Sequence, residues 1–329
     1  MMTRTPHTFT RIALAASLCA LVTACAHHDK APVAHTPAIP GVVSGGTPIQ
    51  LIGQGFAGTE GPVALPDGSL IFTETPANRI TRIAADGSTS TYLDNSNGAN
   101  GLGFTANGDL YAVQVQKTRV GIVHPASRAR VLANNFQGAP FGRPNDLVVA
   151  RDGTVYFTDS GARPGPNDPK PAVAPAKPAV YRITAQGALQ RIADDITRPN
   201  GIQLSPDEKV LYVANTAGEH VLAYDLGTDG KVGPRRNFAK LTGWRQTDAG
   251  PTSGADGLAV DAIGRLYVAS TAGIQVFDDL GAALGVIPLP KAPQNLAFAG
   301  PGKRTLYAVG RGSAWRIDAL TSGVIERAK

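Results

Sequence analysis

"NGLGFTANGDLYAVQ", residues 100–114, joins an apolar run to a second one, "LYAVQ", through a tight turn built on Asn107-Gly108. Asn-Gly between two strand-like runs is a strong hairpin signal. The pattern recurs along the chain. Before it stands "EGPVALPDGSLIFTE" at 60. After it come "NDLVVARDGTVYFTD" at 145, "NGIQLSPDEKVLYVAN" at 200, "DGLAVDAIGRLYVAS" at 256 and "NLAFAGPGKRTLYAVG" at 295. A third strand-like run follows the hairpins, as in "NRITRIA", "AVYRIT" and "GIQVFDD". Successive heads lie 40, 45, 55, 56 and 39 residues apart. Hairpins repeating at this interval, with helical periodicity nearly absent, predict an all-β fold: a six-bladed β-propeller with four-stranded antiparallel blades. "PIQLIGQGF", 48–56, precedes the first head and is expected to complete the last blade, closing the ring without an open edge.

The heads are Glu60, Asn100, Asn145, Asn200, Asp256 and Asn295. Each opens the strand that lines the central channel, so the six converge on the axis at one face. Every one carries a side-chain oxygen. Four are followed by glycine, at 61, 101, 201 and 257, which lets backbones approach closely. Polar heads could serve only to hydrate the channel mouth. Six out of six, two of them carboxylates, point instead to a metal or substrate site. Oxygen donors without thiol or imidazole suit a hard cation, Ca²⁺ best, with Mg²⁺, Mn²⁺ and Zn²⁺ as alternatives. His124 and His220, the two histidines within the repeats, fall away from the heads. The chain has no G-x-S-x-G, H-E-x-x-H or CxxC, so covalent serine catalysis and a zinc-protease site have no support.

The motifs "TEGP", "RPND" at 143–146, "RPNG" at 198–201, "ADGLAVDAIGRLYVA" and "NLAFAGPGKRTLY" resemble the SMP-30/gluconolactonase/luciferin-regenerating family over nearly all of 50–320. The resemblance implies a six-bladed propeller that hydrolyses small-molecule lactones with one axial divalent cation, usually calcium. It implies Glu60, Asn200 and Asp256 as metal ligands. Asn145 would ligate, or hold substrate or water beside the metal, and Arg143 would contact substrate oxygens. Asn100 and Asn295 are placed on the substrate side or in the polar channel wall. Asp256 is the first candidate for general base and Glu60 the second. The family's Glu-His pair after the second strand of blade two is absent; Gln114 and Val115 stand there. The alternative from another class is a non-catalytic propeller of the NHL kind with a structural ion. It is disfavoured by an aromatic content of 6% and by the placing of Trp244 and Trp315 in connecting or outer strands.

Outside the repeats, Arg4, Arg11 and the apolar run "IALAASLCALVTA" ending in "LVTAC" predict a lipoprotein signal peptide over 1–24, cleaved before a lipidated Cys25. Residues 25–47, rich in Pro, Ala and Gly, are expected to tether this anchor to a catalytic propeller over 48–329. The protein would then sit in the cell envelope, on the periplasmic side of the outer membrane, touching the membrane only through its lipid. Without the two leader arginines the net charge falls from +6 to +4, and no basic run exceeds Arg235-Arg236. Nucleic-acid binding has no support. Cys19 and Cys25 are the only cysteines, so the mature domain has no disulfide and depends on core burial. No hydrophobic seam suggests an oligomer, and a monomer is expected. The Pro/Ala insertion 161–180 reads either as a lid or as a disordered loop.

Overall fold

The computed structural model describes residues 1–2, 33–165, 171–228 and 230–329. The leader and Cys25 lie outside the described residues, as does part of the 161–180 insertion. No α-helix occurs among the described residues.

Six four-stranded antiparallel sheets follow one another along the chain. Their innermost strands are Glu60–Ala64, Ala99–Phe104, Pro144–Val149, Pro199–Leu204, Leu258–Val260 and Asn295–Ala299, which define blades one to six. Each inner strand packs against the next, and blade six returns to blade one. The outer strand of blade six is Gln50–Gln54, paired antiparallel with Ser313–Asp318. The early segment thus closes the ring as expected.

The pleat explains the core. Successive side chains on a strand point to opposite faces, and here both faces meet another blade. Val63 packs between blades one and two, while its neighbour Ala64 packs between blades six and one. Leu147 and Val148 divide in the same way between blade two and blade four. Every one of the six blade interfaces has its own buried apolar cluster.

The segment 33–47 departs from the expected tether. Ile39, Val42 and Val43 are buried in the cluster between blades five and six. Backbone bonds Leu320 N–H to Val42 O (2.9 Å) and Ile49 N–H to Ala34 O (2.7 Å) hold the segment down. Its Pro and Gly content hid three apolar side chains that have a groove to fill.

At the other end, segment 319–329 crosses the face of the ring away from the heads. Arg327 donates to Leu204 O (2.8 Å) and Ser205 O (2.9 Å), and Ala64 N–H donates to Ala328 O (3.2 Å). The Lys329 side chain, 2% exposed, reaches Asp146, whose side chain is fully buried in the channel wall.

Candidate active site

In blades one to four the inner strand slips register just where the head stands, between Glu60 and Val63, Ala99 and Leu102, Pro144 and Leu147, and Pro199 and Ile202. A bulge of this kind bends the strand and re-aims a side chain. The heads therefore leave the interblade packing and turn toward the axis. Hydroxyls on or just after the second strands stitch the heads, or the residue before one, to the preceding blade: Thr73 to Asn100 O (2.9 Å), Thr158 to Asn200 O (2.5 Å) and Thr216 to Ala255 O (2.7 Å). The glycines after the heads make room for the next blade. A Cβ on Gly61, at φ +49°, would stand 1.9 Å from Asn100 O, and one on Gly257 would stand 2.0 Å from Asn295 Oδ1.

A cavity of about 420 Å³ opens over this convergence. Glu60, Asn100, Asn145, Asn200 and Asp256 line it, together with Arg143. Asn295 does not. Its Nδ2 donates to Glu60 Oε2 (3.3 Å) and its Oδ1 accepts from Leu296 N–H (2.9 Å), so it stands behind Glu60 and orients it. Gln294 does the same from the other side, donating to Glu60 Oε1 (3.3 Å). Sequence reasoning passed over Gln294, whose only signal was its place beside a head. Asn100 is locked at both ends, Nδ2 to Asn145 O (2.8 Å) and Oδ1 accepting from Thr75 (3.0 Å). Asn200 is different. Its Nδ2 donates to Thr216 (2.9 Å), but its Oδ1 is buried without a hydrogen-bond partner. Gln114 is buried between Ser96 O (2.7 Å) and Arg119 (2.6 Å), in the blade wall.

Three carboxylates share this region. Burial, then Asp146, pushes the Glu60 carboxyl up to about 7. Burial, then Glu60, then Asp146 raises Asp256 well above the usual carboxylate range. Asp146, missed in the sequence as a functional group, is paired with Lys329. No group of three His, Cys, Asp or Glu side chains disposed to hold a metal occurs among the described residues; the donor set is two carboxylates and amide oxygens.

The raised carboxyls set a pH dependence. The unfolded chain releases the Glu60 proton near 4.5, whereas the folded, metal-free protein keeps it to about 7. The folded state binds more protons between these values, so Glu60 favours folding below 4.5 and this contribution is lost as pH rises toward 7. Urea unfolding in chelator should show this contribution falling by on the order of 3 kcal/mol between pH 5 and 7.5. Glu60→Gln should flatten that slope; an unchanged slope would assign it to other groups.

A family model described as SMP-30/Gluconolactonase/LRE-like region matches residues 58–310. The chain belongs to this family. It is 29% identical over 309 residues to a gluconolactonase of Zymomonas mobilis, spanning 88% of this chain and 86% of that one. A gluconolactonase structure from Xanthomonas campestris, 28% identical, superposes with a TM-score of 0.72 over 88% of this chain and 98% of that one. A calcium-binding regucalcin of Agrobacterium tumefaciens, 18% identical, superposes with a TM-score of 0.68 over 84% and 95% of the two chains, a likeness of fold. Within the SMP-30/gluconolactonase family frame, the axial cavity brings the half-buried carboxylates of Glu60 and Asp256 together with the amides of Asn100, Asn145 and Asn200.

Proposed function

We propose that the axial site hydrolyses lactones with the help of one divalent cation held by Glu60, Asn145, Asn200 and Asp256. Family membership and the gluconolactonase relatives make the chain a lactone-hydrolysing enzyme. The observation that carries the metal is Asn200 Oδ1, a buried acceptor without a hydrogen-bond partner, on a residue that lines the cavity together with the half-buried carboxylates Glu60 and Asp256. A buried oxygen left unpaired costs about 1–3 kcal/mol, and a cation would satisfy it. The same ion would offset the burial and the repulsion that together raise both carboxyls. All-oxygen donors suit Ca²⁺ or another hard divalent ion. Two carboxylates balance its charge, because Asp146 is already matched by Lys329. When bound, such an ion polarises the lactone carbonyl and acidifies water.

The chain's own groups supply the rest. Gln294 and Asn295 hold Glu60 as an oriented carboxylate. Asp256, a carboxylate lining the same cavity, is positioned to accept the proton of the attacking water. Water oxygen bonds to the carbonyl carbon, the ring C–O bond breaks, and the departing alkoxide takes up a proton.

The test is pH-stat hydrolysis of D-glucono-1,5-lactone by the chelated protein, before and after Ca²⁺ is restored. The expected result is a rate that disappears with chelation and returns with the ion. A chelated protein that keeps its full rate would remove the metal from the mechanism.

A further inference from the structure

The mouth of the cavity holds more positive charge than its acids answer. Arg143 and Arg163 reach it from blade three, Arg198 from blade four and Arg311 from blade six. Elsewhere in the propeller arginines find an acid, as Arg79 does in Glu74, Arg265 in Asp261 and Arg327 in Glu208, or a neutral acceptor, as Arg119 does in Gln114 and Arg316 in Gln50. Among the described residues, none of the four mouth guanidiniums is in an ion pair or a side-chain hydrogen bond. Arg198 Nε is buried and unpartnered.

Their placement is not loose. Asp159 accepts the backbone N–H of Arg143 (2.6 Å), Asn215 that of Arg198 (3.2 Å) and Gln294 that of Arg311 (2.8 Å). Asp159 and Asn215 are equivalent residues, each ending the second strand of its blade. Arg311 is held at φ 52°, a backbone region that side chains other than glycine seldom adopt. The arginines of blades three and four also press on one another. Burial, then Arg198 and Arg143, disfavours the charge on Arg163.

Like charges kept together by a rigid frame, and outnumbering the acids beside them, are unfavourable unless a ligand compensates them. Four guanidiniums face two carboxylates in this cavity, Glu60 and Asp256. If those two hold a divalent cation, none of their charge is left for the arginines. A neutral polyol supplies hydrogen-bond acceptors but no compensating charge. A planar oxyanion suits guanidinium geometry.

We propose that the preferred substrates are lactones carrying a fixed anionic substituent, such as carboxylate, sulfonate or phosphate, remote from the ring carbonyl and bound by Arg143, Arg163 and Arg198. This rests on the lactone-hydrolase reading of the same site. The experiment compares kcat/KM for D-glucono-1,5-lactone, its 6-phosphate and D-glucaro-1,4-lactone with the Ca²⁺-loaded protein. Charge-assisted hydrogen bonds should favour the anionic lactones by roughly tenfold or more. Added salt should narrow the gap, and Arg143→Gln with Arg198→Gln should close it. Arg163→Gln, on the 161–180 insertion and outside every blade strand, tests the same preference without risk to the fold. Equal efficiency toward all three lactones would overturn the proposal and leave lactone hydrolysis standing. A second measurement does not depend on turnover. Calorimetry should find D-glucitol 6-phosphate bound at least about tenfold more tightly than D-glucitol. If no lactone is hydrolysed, that result alone still carries the anion site, and equal binding of the two polyols overturns it.

Discussion

Asp256→Asn should lower kcat for lactone hydrolysis by about a thousandfold while leaving the fold intact. Two effects add in this one residue. The substitution removes a negative charge from the proposed cation site, and it removes the acceptor for the proton of the attacking water. The amide has the carboxyl's shape. The backbone bonds that place the residue, its N–H to Ala269 O (2.9 Å) and its carbonyl to Gly201 N–H (3.2 Å), do not involve the side chain. Without metal the variant should be as stable as the parent or more so, since the folded protein no longer carries a buried acid crowded by Glu60 and Asp146. A pH–rate profile separates the two roles. If Asp256 is the base, residual activity in the variant loses the acidic limb seen in the parent. Activity within tenfold of the parent, with that limb preserved, would transfer the role of base to Glu60. Circular dichroism and the unfolding midpoint in chelator exclude the trivial cause.

The propeller was legible because hairpins at a fixed interval leave a periodic trace. The closing strand at 50–54 followed from the need to cover an edge. Five of the six heads line one cavity, and the oxygen at the start of each inner strand was enough to find them. Asn295 shows the limit of that rule. It has the right residue type in the right repeat position, yet its amide is spent on Glu60. Only the distances to neighbours separate a head that lines the cavity from one that supports it. The bulges that turn four of the heads inward leave no mark in the apolar pattern beyond the glycine that follows three of them. The mouth arginines were less visible still. Arg143 and Arg198 belong to the repeat, but Arg163 sits in an aperiodic Pro/Ala stretch and Arg311 on a tight turn. Their meeting is a property of the ring. Residues 33–47 failed for the opposite reason: composition spoke for a tether, while Ile39, Val42 and Val43 sealed a blade interface.

Lys329→Met should destabilise the protein by about 3–5 kcal/mol, the usual cost of leaving one partner of a buried ion pair alone. The side chains of Lys329 and Asp146 are 2% and 0% exposed. Asp146 Oδ1 accepts from Lys329 and from Leu147 N–H (2.9 Å), whereas Oδ2 has no hydrogen-bond partner. With the ammonium gone, nothing near Asp146 balances its charge except Glu60 and Asp256, which repel it. Asp146→Asn in the same background should recover most of the loss, because a neutral amide needs no counter-charge. Urea unfolding of the two single variants and the double variant gives the coupling between the residues directly. Strong coupling means that segment 319–329 closes the channel floor and leaves Glu60 and Asp256 as the only uncompensated acids on the axis. If both single variants are mild and their effects add, Lys329 does not reach the channel in solution. Asp146 would then stand as a third free carboxylate beneath the cation, and the charge balance proposed for the site would have to be redrawn around three acids.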